Sequence, residues 1–211
     1  MLSLEHLAAL LEDNPAAAAA RVREFSIGDQ KFTFNSQPAI MGVVNLSSDS
    51  WYRESVCLTT DTAIQRGKVL AAQGAQIIDV GAESTLAHAA RVDDAAQNSK
   101  LIPVIRGLRA EKILVSVETY SPEVTRATLE AGANILNLTG TEASDEIFQM
   151  VAAHNAAVII CYVDGKNVRE VSNFDLSADP IPMLREFFSR QIEIAQQNGV
   201  EKIFLDPGLG F

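Results

Sequence analysis

The 211 residues are 47% hydrophobic and 21% charged, the balance of a soluble globular protein, and no apolar run approaches the roughly 18 residues that a membrane span requires. Against 17 basic residues stand 27 acidic ones, a net charge of −10, which argues against nucleic acid as a partner yet leaves room for a local pocket that takes a phosphorylated ligand. Cys57 and Cys161 form no C-x-x-C pair, so no disulfide framework is expected and a cytoplasmic location is the simple reading.

The chain opens with MLSLEHLAALLED, which carries acids and lacks the basic start of a secretory signal. Its spacing predicts a short amphipathic helix with Leu4, Leu7, Ala8 and Leu11 on one side. Asn14-Pro15 breaks that helix and AAAAARVREF starts another, so residues 1–24 read as a helical extension ahead of one domain over 25–211. FSIGDQKFTF (25–34) predicts a small hairpin around Gly28-Asp29, placed as a lid over the bottom of that domain.

Six short apolar runs follow, each stopping on a polar cluster: IMGVVN (40–45), IIDVGAEST (77–85), ILVSVETY (113–120), NILNLTG (134–140), VIICY (158–162) and IFLDPG (203–208). Val, Ile and Leu on consecutive positions predict strands buried on both faces. Between them, 61–74, 121–132, 145–155 and 183–199 show helical spacing. Gly74, Gly132 and Gly199 stand where helix C-terminal glycines belong, and Ser121-Pro122 is a helix start. Strand and helix thus alternate about six times, which demands a parallel sheet with right-handed crossovers. No G-x-G-x-x-G follows the first strand, and nearly every strand delivers polar residues to one end. A (β/α)8-type TIM barrel is therefore favoured over a doubly wound sheet. A barrel of this type takes about 250 residues, so about six of its eight βα units are expected within this chain.

The polar clusters supply the candidate site. Asn45 ends the first strand and leads into LSSDSWY, a loop of oxygen ligands for a metal-bound phosphate or simply a turn that satisfies its own backbone. Asp79, Glu83, Ser84 and Thr85 close the second strand, Glu118 and Thr119 the third, and Asp206 the sixth, while Asn137 sits in the fourth. Singly, each carboxylate is more often a helix cap. Together they converge on one mouth. Carboxylates accept paired N–H groups and an amide both donates and accepts, so Glu118, Asn137 and Asp206 suit a flat, amino-substituted heterocycle such as guanine or a pterin.

IMGVVNLSSDSW, DVGAEST, SVETYSPEV, EAGANILN and LDPGLGF, in that order, resemble dihydropteroate synthase over roughly residues 35–211. The resemblance implies a barrel enzyme of folate biosynthesis, in which para-aminobenzoate attacks a pterin pyrophosphate. It implies a ring held by Glu118, Asn137 and Asp206, Mg²⁺ and pyrophosphate bound with help from Asn45, Thr85 in a loop near the substrates, and a possible homodimer. Departures accompany it. Glu118 replaces an Asp, and its extra methylene should carry the carboxylate about 1 Å further into the pocket. Leu86 replaces an Arg, Leu138 an Asp, and Cys161-Tyr162-Val163 a Met-His-Met, where Tyr162 is expected to fill a core position. The family's Lys, Arg and His from its last two strands would fall beyond Phe211, and a chain ending there is expected to bind a pterin weakly and turn over slowly or not at all. A degenerate pterin-binding relative, supported by Leu86 and the fifth strand, is a second reading. A methyltransferase using methyltetrahydrofolate and a corrinoid partner is a third, disfavoured by the 45–50 loop and Glu83-Ser84-Thr85.

Overall fold

Consecutive β-branched and aliphatic residues build six parallel strands whose spatial order follows the chain without a switch point. In the computed structural model, which describes residues 3–47, 49, 52–84, 89, 91–169 and 179–208, these are β3 (Met41–Asn45), β4 (Ile77–Gly81), β5 (Leu114–Thr119), β6 (Ile135–Leu138), β7 (Ala157–Cys161) and β8 (Ile203–Asp206). Strictly sequential order is the signature of a barrel wall rather than a doubly wound sheet. Thr85, Leu86, His88 and Trp51 lie outside the described residues.

Helices α3 (Thr60–Ala72), α4 (Asp94–Ala110), α5 (Pro122–Glu130), α6 (Ser144–Ala153) and α7 (Ile181–Gln197) fill the crossovers. Of these, α4 carries an internal Pro103, which masks its helical signal in sequence. Local chemistry sets the boundaries. Thr59 and Thr62 form a reciprocal capping box ahead of α3, and the Ser121 hydroxyl accepts from Val124 N with Pro122 in the first turn of α5. Gly74, Gly132 and Gly199 take the left-handed conformation (φ 110°, 104° and 84°) just past α3, α5 and α7.

Alternation along the strands sorts the core into two layers. Outward residues such as Val44, Ile78, Val80, Val115, Val117, Leu136, Leu138, Val158 and Ile160 pack against Ala63, Leu101, Ile105, Leu108, Ile147 and Phe148 of the helices. Inward residues near the strand starts, Ile77, Leu114, Ile135, Ala157 and Phe204, form a second cluster with Ile27, Phe32, Phe25 and Phe34. The last four come from the segment of the expected hairpin, here β1 (Ser26–Ile27) paired antiparallel with β2 (Gln30–Lys31). It sits across the amino-terminal end of the barrel, with Phe25, Phe34 and Phe204 meeting edge to face at 5.0–5.4 Å. Ahead of it, α1 (Leu4–Asp13) forms as expected, whereas α2 (Pro15–Ala18) is a single turn and residues 19–25 are not helical, short of the helix expected over AAAAARVREF. Neither has a buried residue, so the apolar stripe of Leu4, Leu7 and Leu11 is exposed. No helix among the described residues is long and apolar enough to cross a membrane.

Ile27 is 1% exposed inside this plug. Ile27→Ala is expected to lower unfolding free energy by about 2–4 kcal/mol in urea titrations. A loss below about 1 kcal/mol would mean that the plug unfolds independently of the barrel.

Candidate active site

Moving two residues along each strand from the apolar floor reaches the next inward layer, and its character changes. Ile77, Leu114, Ile135 and Phe204 give way to Asp79, Ser116, Asn137 and Asp206. Two further on stand Gly81 and Glu118, with Asn45 beside Gly81 in register. Five of the six site residues expected from sequence therefore lie on the inner face of the sheet. Thr85 is outside the described residues.

Asn45 is oriented by its surroundings. The Ser55 hydroxyl donates to Tyr52 O at 2.5 Å, so its oxygen accepts from Asn45 Nδ2 at 2.6 Å. The Asn45 carbonyl oxygen is thereby turned over Gly81, 3.3 Å from where a Cβ there would sit. A single amide oxygen fits Mg²⁺, which takes few protein ligands and completes its shell with phosphate and water oxygens. Among the described residues no group of three or more His, Cys, Asp or Glu gathers to hold a metal without such help.

Glu118 uses the same space. Its Oε1 accepts from Thr139 Oγ1 at 3.2 Å and its Oε2 lies 2.9 Å from the Cβ position of Gly81. The Glu118 carboxyl thus reaches over the neighbouring strand on the inner face of the sheet. A Cβ at position 81 would force the end of the Glu118 side chain to shift. Burial, reinforced by the charges of Asp79 and Glu83, pushes the Glu118 carboxyl up to about 8.

Asp79 is buried at 6% exposure and accepts from Asn137 Nδ2 at 3.2 Å. Burial raises its proton affinity, opposed by the Ser116 hydroxyl and then the Asn137 amide and aided by the charge of Asp206. The contact fixes which end of the Asn137 amide points away from Asp79. Asp79 Oδ1, Asn137 Oδ1 and Ser116 Oγ are all buried and none makes a close hydrogen bond among the described residues, although the Ser116 hydroxyl, in register with Asp79, lies near enough to favour that carboxyl's charged form. Buried polar atoms without close partners on adjacent strands form a place where a ligand's N–H groups would be satisfied. Asp206, at the end of β8, accepts from Gly208 N at 2.9 Å and borders Cys161, whose thiol burial pushes far up. Tyr162, expected to fill a core position, is instead only partly buried at the groove between α6 and α7, edge to face with Phe187 and donating to Met183 Sδ.

Sequence reasoning missed Ser55, Gly81, Ser116 and Arg169. Ser116 and Gly81 could have been found by counting two residues from Glu118 and Asp79. Arg169 carries no sequence signal; it joins Glu83 from a loop 86 positions away in the numbering. A groove of about 800 Å³ between α6 and α7 is lined by Asp145, Glu146, Asp164, Glu186 and Arg190 and lies outside the barrel interior.

Residues 41–211 match the family of pterin binding enzymes. A dihydropteroate synthase of a Synechocystis strain is 35% identical over 189 residues, covering 88% of this chain and 65% of the relative. The chain thus spans about two thirds of the length of that relative. Among solved structures, a Yersinia pestis dihydropteroate synthase with a sulfonamide drug superposes with a TM-score of 0.79 at 25% identity, covering 90% of this chain and 69% of the other. A Burkholderia cenocepacia dihydropteroate synthase complexed with 7,8-dihydropteroate gives 0.75 at 27% identity, covering 89% and 64%.

Two predictions follow from the crowding of these groups. Gly81→Ala is expected to destabilise the fold by about 1–3 kcal/mol, and Glu118→Asp in the same chain to restore at least half of that, read by urea unfolding. No recovery would show that Glu118 is not what the glycine accommodates. Glu118 also holds its proton up to about 8 when folded, against 4.5 for an ordinary glutamate. The folded state therefore binds the extra proton between those values, and stability falls as pH rises through that window. In chelator-treated protein, Glu118→Gln is expected to flatten the decline by on the order of 2 kcal/mol, raising Tm over the parent at pH 8 but not near pH 4.5. An unchanged slope would remove Glu118 as its source.

Proposed function

This chain belongs to the pterin binding enzyme family, and from that premise we propose that it serves the dihydropteroate synthase reaction, joining a pterin pyrophosphate to para-aminobenzoate. The observation that carries the reading is the set of buried polar atoms without close partners, Asp79 Oδ1, Asn137 Oδ1 and Ser116 Oγ, above an apolar floor. Two acceptors and a hydroxyl in fixed positions complement a ring edge rich in N–H groups. Glu118, protonated near neutral pH, adds one donor and one acceptor where such a ring alternates N–H and carbonyl groups. Asp206 offers a further acceptor from the far side of the interior. The relative that holds 7,8-dihydropteroate, a molecule containing both the pterin and the aminobenzoate, supports the choice of ring over guanine.

In this reading the barrel residues bind and orient. With its ring edge gripped at Asp79, Asn137 and Glu118, the pterin would present its methylene carbon toward the carboxyl-terminal mouth. The aminobenzoate nitrogen attacks that carbon, the carbon–oxygen bond to pyrophosphate breaks, and the nitrogen loses a proton to solvent. Mg²⁺ held at Asn45 Oδ1 would neutralise the departing pyrophosphate, which an acidic chain cannot do unaided. Free, buried Cys57 and Cys161 suit a reducing cytoplasm.

Titration calorimetry with pteroic acid tests ring recognition, and pteroate formation from the pterin pyrophosphate, 4-aminobenzoate and Mg²⁺ tests the reaction. Asn137→Ala is expected to weaken pteroic acid binding at least about tenfold, since it leaves ring donors unpaired. Failure of the parent chain to bind at about 1 mM pteroic acid would overturn the reading.

A further inference from the structure

A second buried polar assembly stands beside the site. Glu83, two residues past Gly81, forms an ion pair with Arg169 at 3.0 Å, with side-chain exposures of only 8% and 3%. The same carboxylate accepts from Tyr120 Oη at 2.6 Å and from Val92 N at 2.9 Å. Arg91 donates to the Tyr120 oxygen at 2.9 Å, and Arg169 also donates to the carbonyl of Ala89. Backbone contacts anchor the arginine's own loop, with Val168 N on Thr139 O and Thr141 N on Lys166 O. Three connections are thereby tied at one point: the one after β4, the one after β5 and the one after β7. Glu83, Glu118, Thr119, Tyr120 and Arg169 line one narrow crevice, so the assembly is the outer wall of the space that Glu118 occupies.

We propose that Arg169 is a positioning residue for the pterin pocket, acting through Glu83 to hold the mouth loops in the arrangement that presents Glu118 and its neighbours to the ring. The inference rests on the pterin reading above. A buried carboxylate stripped of its arginine keeps its charge only by moving toward water, and such a move carries Val92 and the β4 connection away from the crevice. Arg169 reaches Glu83 from a loop on the far side of β5 and β6, so it ties the β7 connection to the β4 and β5 connections in one wall. Its planar fork serves Glu83 and the Ala89 carbonyl together, which an ammonium group does less well.

The test is a double-mutant cycle on the full chain, with pteroic acid affinity read by calorimetry and folding checked by circular dichroism at the same temperature. Arg169→Met is expected to weaken pteroic acid about tenfold, and Arg169→Lys to recover about threefold of that loss. Glu83→Gln combined with Arg169→Met is expected to lose no more than about twofold beyond Arg169→Met alone, since both break one clamp. Additive losses would mean that Arg169 acts independently of Glu83 and would overturn the proposal, as would an Arg169→Met chain that is folded and binds normally. Where Arg169→Met fails to fold, the Arg169→Lys and Glu83→Gln pair runs the same cycle with the same criterion. A parent chain that binds no pteroic acid refutes the functional reading itself, a result distinct from a parent that binds with additive variants.

Discussion

Side chains along a parallel strand alternate between two faces, and here the inner face changes from apolar to polar within two residues. Ile77, Leu114, Ile135 and Phe204 close the floor against the phenylalanines of the hairpin, and Asp79, Ser116, Asn137 and Asp206 follow immediately above. The aromatic plug matters to the site because it keeps water from reaching the polar layer from below. A dry floor makes each charge and dipole above it more effective and each unpaired one more costly.

That dryness explains the electrostatics. Asp79 and Glu118 both hold their protons more tightly than free carboxyls, with burial the leading cause in each. Two mutually repelling acids in one interior would be an unstable arrangement if both stayed ionised, and protonating Glu118 relieves it without removing its hydrogen-bonding capacity. Under the pterin reading, the buried atoms of Asp79, Asn137 and Ser116 that lack close partners are groups that a donor-rich ligand would satisfy.

Strand order, helix caps and the hairpin plug were legible in the sequence because each has a local signature: hydrophobic runs, Ser-Pro starts, terminating glycines and a Gly-Asp turn. The polar mouth was legible for the same reason, since Asn45, Asp79, Glu118, Asn137 and Asp206 all end or nearly end a strand. Helix α4 was less so, with Pro103 interrupting its pattern. The approach of the Glu118 carboxyl to Gly81 was not legible, because Gly81 is on another strand 37 positions earlier in the numbering and register between strands is not written in either segment. Arg169 was invisible for a stronger version of that reason. A lone arginine in a polar loop looks solvated until the fold brings Glu83 to it.

The contrast with the other ion pairs shows why that one bears on the site. Lys68–Glu111 and Lys166–Glu142 hold comparable distances, 2.6 and 3.1 Å, yet roughly half of each side chain is in water, where screening and side-chain entropy leave little net gain. Glu83–Arg169 is nearly free of solvent, and its carboxylate has two further donors, so its geometry is over-determined. A pair of that kind need not add stability relative to an apolar substitute. It does resist alternative arrangements, because any shift of one loop leaves a charge buried and unmatched. Loops at a barrel mouth are otherwise the least constrained part of the fold, and a buried charge pair between two of them fixes their geometry where hydrophobic packing, which tolerates sliding, would not.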